Sequence, residues 1–223
     1  MKAVCGRFNQ TASGEEVAEA FGLDEAPELA PRYNIAPTQP IAVIGIQPKT
    51  GRRGLALLTW GLVARDALGK ERSFINARSE TAWEKPSFSE AFAQRRCLIP
   101  ATGFYEWQKL DARRRQPWLI RLATAGPFAF AGLWEPAAAV PGTGPTCTIL
   151  TTEPNEIARP IHDRMPVILD PADYAQWLDP TVTIAAELRP LLRPFPAAAM
   201  TAYPISTRVN NPAFDDPACI APA

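Results

Sequence analysis

The chain has 223 residues, 47% of them hydrophobic and 21% charged, and its 23 basic and 23 acidic residues cancel to a net charge of zero. That length suits one domain or two small ones, and the composition is that of a globular core, not a disordered segment. Zero net charge argues against bulk nucleic-acid binding, no apolar run reaches the ~18–20 residues of a membrane span, and the opening residues lack the apolar core of a signal peptide.

In chain order, Ser13-Gly14-Glu15-Glu16 reads as a capping box that opens a short helix to about Phe21. Pro27 to Pro40 is a Pro-rich loop. Ile41 to Ile46 and Leu55 to Val63 are β-like apolar runs separated by the turn-forming Pro48 to Gly54. Ser87-Phe88-Ser89-Glu90 is a second capping box, for a helix ending near Arg95. Strands are expected at Arg96–Ile99, Gly103–Gln108, Pro117–Leu122, Phe128–Trp134 and Thr146–Thr151. Asp111 to Gln116 is a charged hairpin tip, and Ala137 to Pro145 a mobile Gly/Pro/Ala loop. Asp170-Pro171-Ala172-Asp173 caps a helix to Leu178, with Pro at its first position. A short helix covers about Ile184 to Leu192, and Met200 to Ile205 is a last strand. Successive strands with helices between only some of them indicate an α+β fold. The expectation is a single domain of mostly antiparallel strands in a barrel-like mixed-sheet arrangement with short peripheral helices.

The four cysteines, Cys5, Cys97, Cys147 and Cys219, form no CxxC pair. That pattern predicts reduced thiols in the cytoplasm and no zinc site. No metal and no cofactor are expected. Of the 23 cations 18 are Arg, a bias that a GC-rich genome produces by itself. Arg is nonetheless the better bidentate phosphate ligand.

Cys5 has a distinctive position. A cysteine with a free α-amino group is a 1,2-aminothiol, whose amine condenses with an aldehyde and whose thiol then closes a thiazolidine. Four residues precede Cys5 here. Val4 can be encoded by GTG, an alternative bacterial start codon read as methionine, and the initiator methionine is normally removed before a residue as small as Cys. Met1 to Val4 are therefore read as a start-site extension, with the mature chain beginning at Cys5.

Three other segments hold candidate chemistry. His162, the only histidine, lies in Ile161-His162-Asp163-Arg164-Met165-Pro166. A lone His is often structural, but this one sits in a loop between charges and can move protons near neutral pH. Glu106, between Tyr105 and Trp107, is either a solvent-facing strand residue or a pocket carboxyl whose burial raises its pKa. Asn76 and Arg78, in Ile75-Asn76-Ala77-Arg78-Ser79-Glu80-Thr81, either cap a turn or face a site.

Together, Cys5-Gly6-Arg7-Phe8, Arg32-Tyr33-Asn34-Ile35-Ala36-Pro37-Thr38, Trp60-Gly61-Leu62, Ile75 to Thr81, Pro100-Ala101-Thr102-Gly103-Phe104-Tyr105-Glu106-Trp107 and Ile161 to Pro166 resemble, in order, the SRAP family, the SOS-response-associated peptidase domain. The resemblance spans Cys5 to about Leu178. It implies a domain over 5–208, with 209–223 a short, Pro-rich, loosely ordered tail. It also implies a sensor of abasic sites in single-stranded DNA, a monomer that crosslinks to the ring-opened sugar through a thiazolidine and shields the lesion. By position, Cys5 would be the nucleophile, Glu106 the general acid–base in ring opening, His162 a proton shuttle and Asn76 a hydrogen-bonding orienter. Arg7, Arg78 and Arg164 would hold phosphates, Asn34 would shape the pocket, and Pro40 and Trp60 would wedge or stack on bases, although a core role suits Trp60 as well. The alternatives are a cysteine peptidase, possibly autoproteolytic, and a non-covalent single-strand DNA-binding module.

Overall fold

The computed structural model describes residues 5–65, 68–137 and 144–223. Two sheets share the work of placing the site. In the first, five antiparallel strands run in the order Met200–Pro204, Arg115–Leu122, Gly103–Lys109, Phe8–Gln10, Arg32–Ile35. In the second, Thr146–Thr152, Arg53–Trp60, Pro40–Ile46, Arg96–Ala101 and Phe128–Glu135 pair in turn, and Phe128–Glu135 pairs back onto Thr146–Thr152. The ring thus closes as a barrel. Two pairings in it are parallel, Thr146–Thr152 with Arg53–Trp60 and with Asn76–Arg78. The fold is α+β and barrel-like, as the strand pattern implied.

Period-two alternation explains why the barrel strands read as apolar runs. Leu98, Ala129, Ala131 and Leu133 join one core, with Val17, Phe21, Phe92 and Trp177 of the peripheral helices. Cys97, Ile99, Phe128 and Phe130 join the other, with Phe8, Phe104 and Ile120 of the five-stranded sheet. Both faces are buried, so polar residues are not needed at alternate positions. All four cysteines are free and buried. No helix among the described residues is long and apolar enough to cross a membrane, and no three His, Cys, Asp or Glu among them are grouped to hold a metal.

The first capping box forms as read: Glu16 N donates to Ser13 Oγ at 3.2 Å and Ser13 N to Glu16 Oε2 at 2.7 Å. Its helix, Gly14–Phe21, ends at Gly22 with φ 64°, a conformation glycine adopts without strain. The second box does not form. Ser87 Oγ donates to Arg65 O instead, and the helix Ser89–Gln94 starts after Phe88 without a side-chain cap. Phe88 is buried edge-on against Phe74 at 5.0 Å, and that packing sets the helix start. The apolar run Leu55 to Val63 is two strands, because Gly61 takes φ 137° and turns the chain between Trp60 and Leu62.

The Pro-rich loop contains a strand, Arg32–Ile35, and the tail that pairs with it is not loosely ordered. Asn34 is fully buried, and its Nδ2 lies 3.2, 3.0 and 2.7 Å from the carbonyl oxygens of Val209, Asn211 and Phe214. Asp215 accepts from Arg32 Nε at 2.5 Å and from the Tyr33 and Asn34 amides. Val209 and Cys219 are buried, and Ala223 N donates to Pro204 O at 3.0 Å. Composition alone suggested a frayed end, but short 3-10 turns satisfy much of this stretch internally, and the buried Asn34 amide and the Asp215 carboxylate tie it to the strand. The start-site extension and most of the Ala137–Pro145 loop lie outside the described residues.

Candidate functional site

Cys5 precedes the first strand with φ 48°. A non-glycine residue in this region carries roughly 1–3 kcal/mol of strain that its surroundings must hold. Cys5 N donates to Glu106 Oε1 at 2.8 Å, with both residues buried. Glu106 sits on strand Gly103–Lys109, which pairs with Phe8–Gln10, so sheet register brings residues 101 apart in sequence together. Burial pushes the Glu106 carboxyl above its ordinary value, opposed by His162 and by the bonds from Cys5. Burial, then the Glu106 charge, pushes the Cys5 thiol well above its own.

His162 reaches the same carboxylate from a separate loop, its Nε2 3.9 Å from Glu106 Oε2. Asn155 shapes that loop by accepting from the Ile157 and Ala158 amides. Gln108, two residues past Glu106, ties it to the sheet by donating to Pro160 O at 3.1 Å while accepting from Trp118 Nε1. His162 Nδ1 is 3.2 Å from the Arg164 amide and 3.0 Å from Asp163 Oδ1. With Nδ1 turned to the Arg164 amide and Asp163, the ring presents Nε2 toward Glu106.

Asn76 begins the strand Asn76–Arg78, and the adjoining Ile75 packs beside Gly6. Both ends of its amide are buried without a hydrogen-bond partner. Each such group costs about 1–3 kcal/mol, so this arrangement is one that a bound ligand would complete. Arg78 and Arg164 flank Thr151: Arg78 pairs with it in register, and Arg164 donates to its carbonyl at 2.6 Å. Arg78 is exposed and has no ion-pair partner among the described residues, whereas Arg164 is held by Glu80 through two bonds of 2.6 and 2.8 Å.

The remaining expected contacts lie elsewhere. Arg7 donates to Asn34 Oδ1 at 2.7 Å and to Val209 O at 2.6 Å, so with Asn34 it clamps the tail and forms no free phosphate ligand. Trp60 is fully buried, edge-on to Phe8 at 5.3 Å, with its indole N–H on Ile75 O at 2.8 Å. It is a core residue and cannot stack on a base. Pro40 is exposed but lines a small cavity of about 210 Å³ with Phe8, Ile35 and Leu57.

Glu106 and His162 open onto a cleft of about 840 Å³. Its other walls are Trp107, Arg113, Arg114, Arg115, Thr207 and Asn210, and Trp107 is fixed by an indole N–H bond to Asn210 Oδ1 at 2.7 Å. Sequence reading missed these residues. Trp107 adjoins Glu106 in a quoted motif and was the one visible hint. The tail residues gave no signal, because contacts with distant segments, among them Arg7, Arg32 and Asn34, bring them there.

Known proteins resemble this chain over nearly its whole length. A profile of the SOS response associated peptidase (SRAP) family matches residues 4–212. The chain is 41% identical over 223 residues to abasic site processing protein YoqW of Bacillus subtilis (strain 168), covering 97% of this chain and 99% of that protein. It is 29% identical over 268 residues to abasic site processing protein HMCES of Xenopus tropicalis, covering 98% of this chain and 78% of that one. A crystal structure of a protein from Bacteroides thetaiotaomicron superposes with a TM-score of 0.82 at 25% identity, covering 98% and 100% of the two chains. A phage-related protein from Bordetella bronchiseptica gives 0.73 at 30% identity, covering 90% and 94%.

Proposed function

The chain belongs to the SOS response associated peptidase (SRAP) family, and from that premise we propose that it processes abasic sites in single-stranded DNA by covalent capture through Cys5. The observation that carries the reading is the buried 2.8 Å contact between the Cys5 nitrogen and Glu106. In a chain beginning at Cys5 that nitrogen is an α-amine, with a pKa of about 7.7–8.0 and a useful neutral fraction at physiological pH.

The steps balance as an addition with loss of water. Glu106, whose carboxyl burial pushes above its ordinary value, gives its proton to the sugar oxygen as the ring opens or as hydroxide departs. The Cys5 amine adds to the aldehyde carbon, and expulsion of water leaves an imine. The thiol then adds to the imine carbon, its proton passing to the nitrogen through Glu106, and the thiazolidine closes. A carboxylate beside both reacting atoms serves each transfer. His162 supplies or removes a proton during strand scission or reversal, and the unpartnered Asn76 amide hydrogen-bonds to the linked sugar or its phosphate. Arg78 contacts a flanking phosphate, and Arg164 joins it once Glu80 lets go.

A thiol held well above its ordinary pKa weighs against a peptidase built on a thiolate nucleophile. The test compares protein beginning at Cys5 with protein retaining Met1 to Val4, each incubated with single-stranded DNA bearing one abasic site. A denaturation-resistant adduct is expected only from the first, and its Cys5→Ala variant should lose it. Equal, stable adducts from the blocked chain or from Cys5→Ala would refute the reading.

A further inference from the structure

The turn after Glu106 carries a charge pattern that its own fold does not use. From Lys109 to Arg115 the sequence sets Lys109, Arg113, Arg114 and Arg115 against one carboxylate, Asp111, a net +3 in a chain whose total is zero. Register places Lys109 directly opposite Arg115, and like charges facing across strands destabilise a hairpin. Asp111 compensates only one of them, Arg114, whose Nε it holds at 2.6 Å. Its Oδ1 is already used by the Arg113 and Arg114 amides, at 2.8 Å each. Lys109, Arg113 and Arg115 have no ion-pair partner among the described residues.

Three of these four cations, all but Lys109, face the candidate site. Arg113, Arg114 and Arg115 line the cleft onto which Glu106 and His162 open, whereas Arg78 and Arg164 stand beside Thr151. Lys109 is three residues along the strand from Glu106, about 10 Å at the rise of a β-strand. That is too far to hold the phosphate of the reacting sugar and suits one a few nucleotides away. Guanidinium groups pair bidentately with phosphate oxygens. Leu110, 54% exposed on the same turn, offers an apolar edge for a base.

We infer that the Lys109–Arg115 hairpin is a second phosphate-binding subsite, which grips the backbone of the captured single strand a few nucleotides from the abasic sugar. It rests on the reading that this cleft receives DNA. A phosphate at this turn would offset the like charges that register sets opposite each other at Lys109 and Arg115.

The experiment uses an undamaged single-stranded oligonucleotide, so that no covalent step is involved, and reads binding by fluorescence anisotropy across a salt series. Arg113→Ala/Arg115→Ala should weaken binding at low salt on the order of tenfold and lower the log–log salt slope by about 1.4, two contacts at ~0.7 each. Asp111→Asn keeps the turn's oxygen acceptor and frees Arg114, so it should tighten binding and steepen the slope by about 0.7. Wild-type affinity and slope in both variants would overturn the inference. So would a loss seen with duplex DNA but not with single strands, which assigns the hairpin to the complementary strand. Failure of covalent capture would look different: no adduct with abasic DNA, yet the salt slopes of wild type and variants still separate.

Discussion

Cys5 N and Glu106 Oε1 stand 2.8 Å apart in a buried site, and His162 Nε2 stands 3.9 Å from the other oxygen of the same carboxylate. Glu106 is therefore the one group that touches the nucleophile's nitrogen and faces the histidine. Removing its titratable proton is the sharpest probe of the site. In single-turnover capture of an abasic oligonucleotide, Glu106→Gln should be slower by the ~10²–10⁴-fold typical of a lost general acid–base. Capture at the wild-type rate would return Glu106 to a structural role.

The same substitution should alter stability with a sign that depends on the N-terminus. With residues 1–4 present, burial raises the Glu106 pKa in the folded chain. The folded protein then binds more protons than the unfolded one, so stability falls as pH rises from the unfolded value, ~4.3, through the raised one. Glu106→Gln should therefore raise Tm at pH 8, by about 2–4 °C for each ~1 kcal/mol recovered, with the gain vanishing toward pH 4. In a chain beginning at Cys5 the α-ammonium pairs with Glu106, and Glu106→Gln should instead lower Tm. Differential scanning calorimetry of both chains at both pH values checks the reversal.

Asn34→Ala removes the donor shared by three tail carbonyls. Val209 O keeps its bond from Arg7 and Asn211 O its bond from the Phe214 amide, but three bonds from one buried amide are lost, so urea unfolding should show a loss of about 1–3 kcal/mol. Limited proteolysis should then cut within 207–223. If that segment stays as protected as in wild type, Arg7 and Asp215 hold the tail without Asn34.

Trp60→Ala should cost about 3–5 kcal/mol, as a large buried aromatic does, while the folded fraction binds single-stranded DNA with wild-type affinity. Weakened binding by folded Trp60→Phe, which keeps most of the packing but loses the N–H bond to Ile75 O, would show that the ring contacts DNA after all.

His162→Ala should change how fast the adduct is cleaved or reversed more than how much forms, because the histidine meets Glu106 and not the Cys5 nitrogen in the contacts described. Arg78→Glu should weaken DNA binding without loss of Tm, since Arg78 is exposed and makes no ion pair among the described residues. Arg164→Ala should lose both, because it breaks the Glu80 pair and the bond to Thr151 O. Equal Tm values for the two arginine variants would contradict this division.

Local chemistry was readable from the sequence wherever one segment sufficed. Ser13 and Glu16 close a capping box because both partners lie within one helical turn, and barrel strands such as Arg96–Ala101 and Thr146–Thr152 announced themselves because they bury both faces. The trio Cys5, Glu106 and His162 was legible too, but as ordered motifs, without contacts. Sequence could not decide which polar side chains face the cleft. Arg7 and Asn34 carry the same donors whether they bind a phosphate or a carbonyl, and only the return of residues 209–215 against the strand Arg32–Ile35 gave them to the tail. Trp60 is equally apolar in a core or under a base, and its burial depends on Phe8, a residue of the other sheet 52 positions away. Propensity and patterning act over a few residues. Register between distant strands, set by packing of the whole barrel, fixed which of these groups meet the carboxylate.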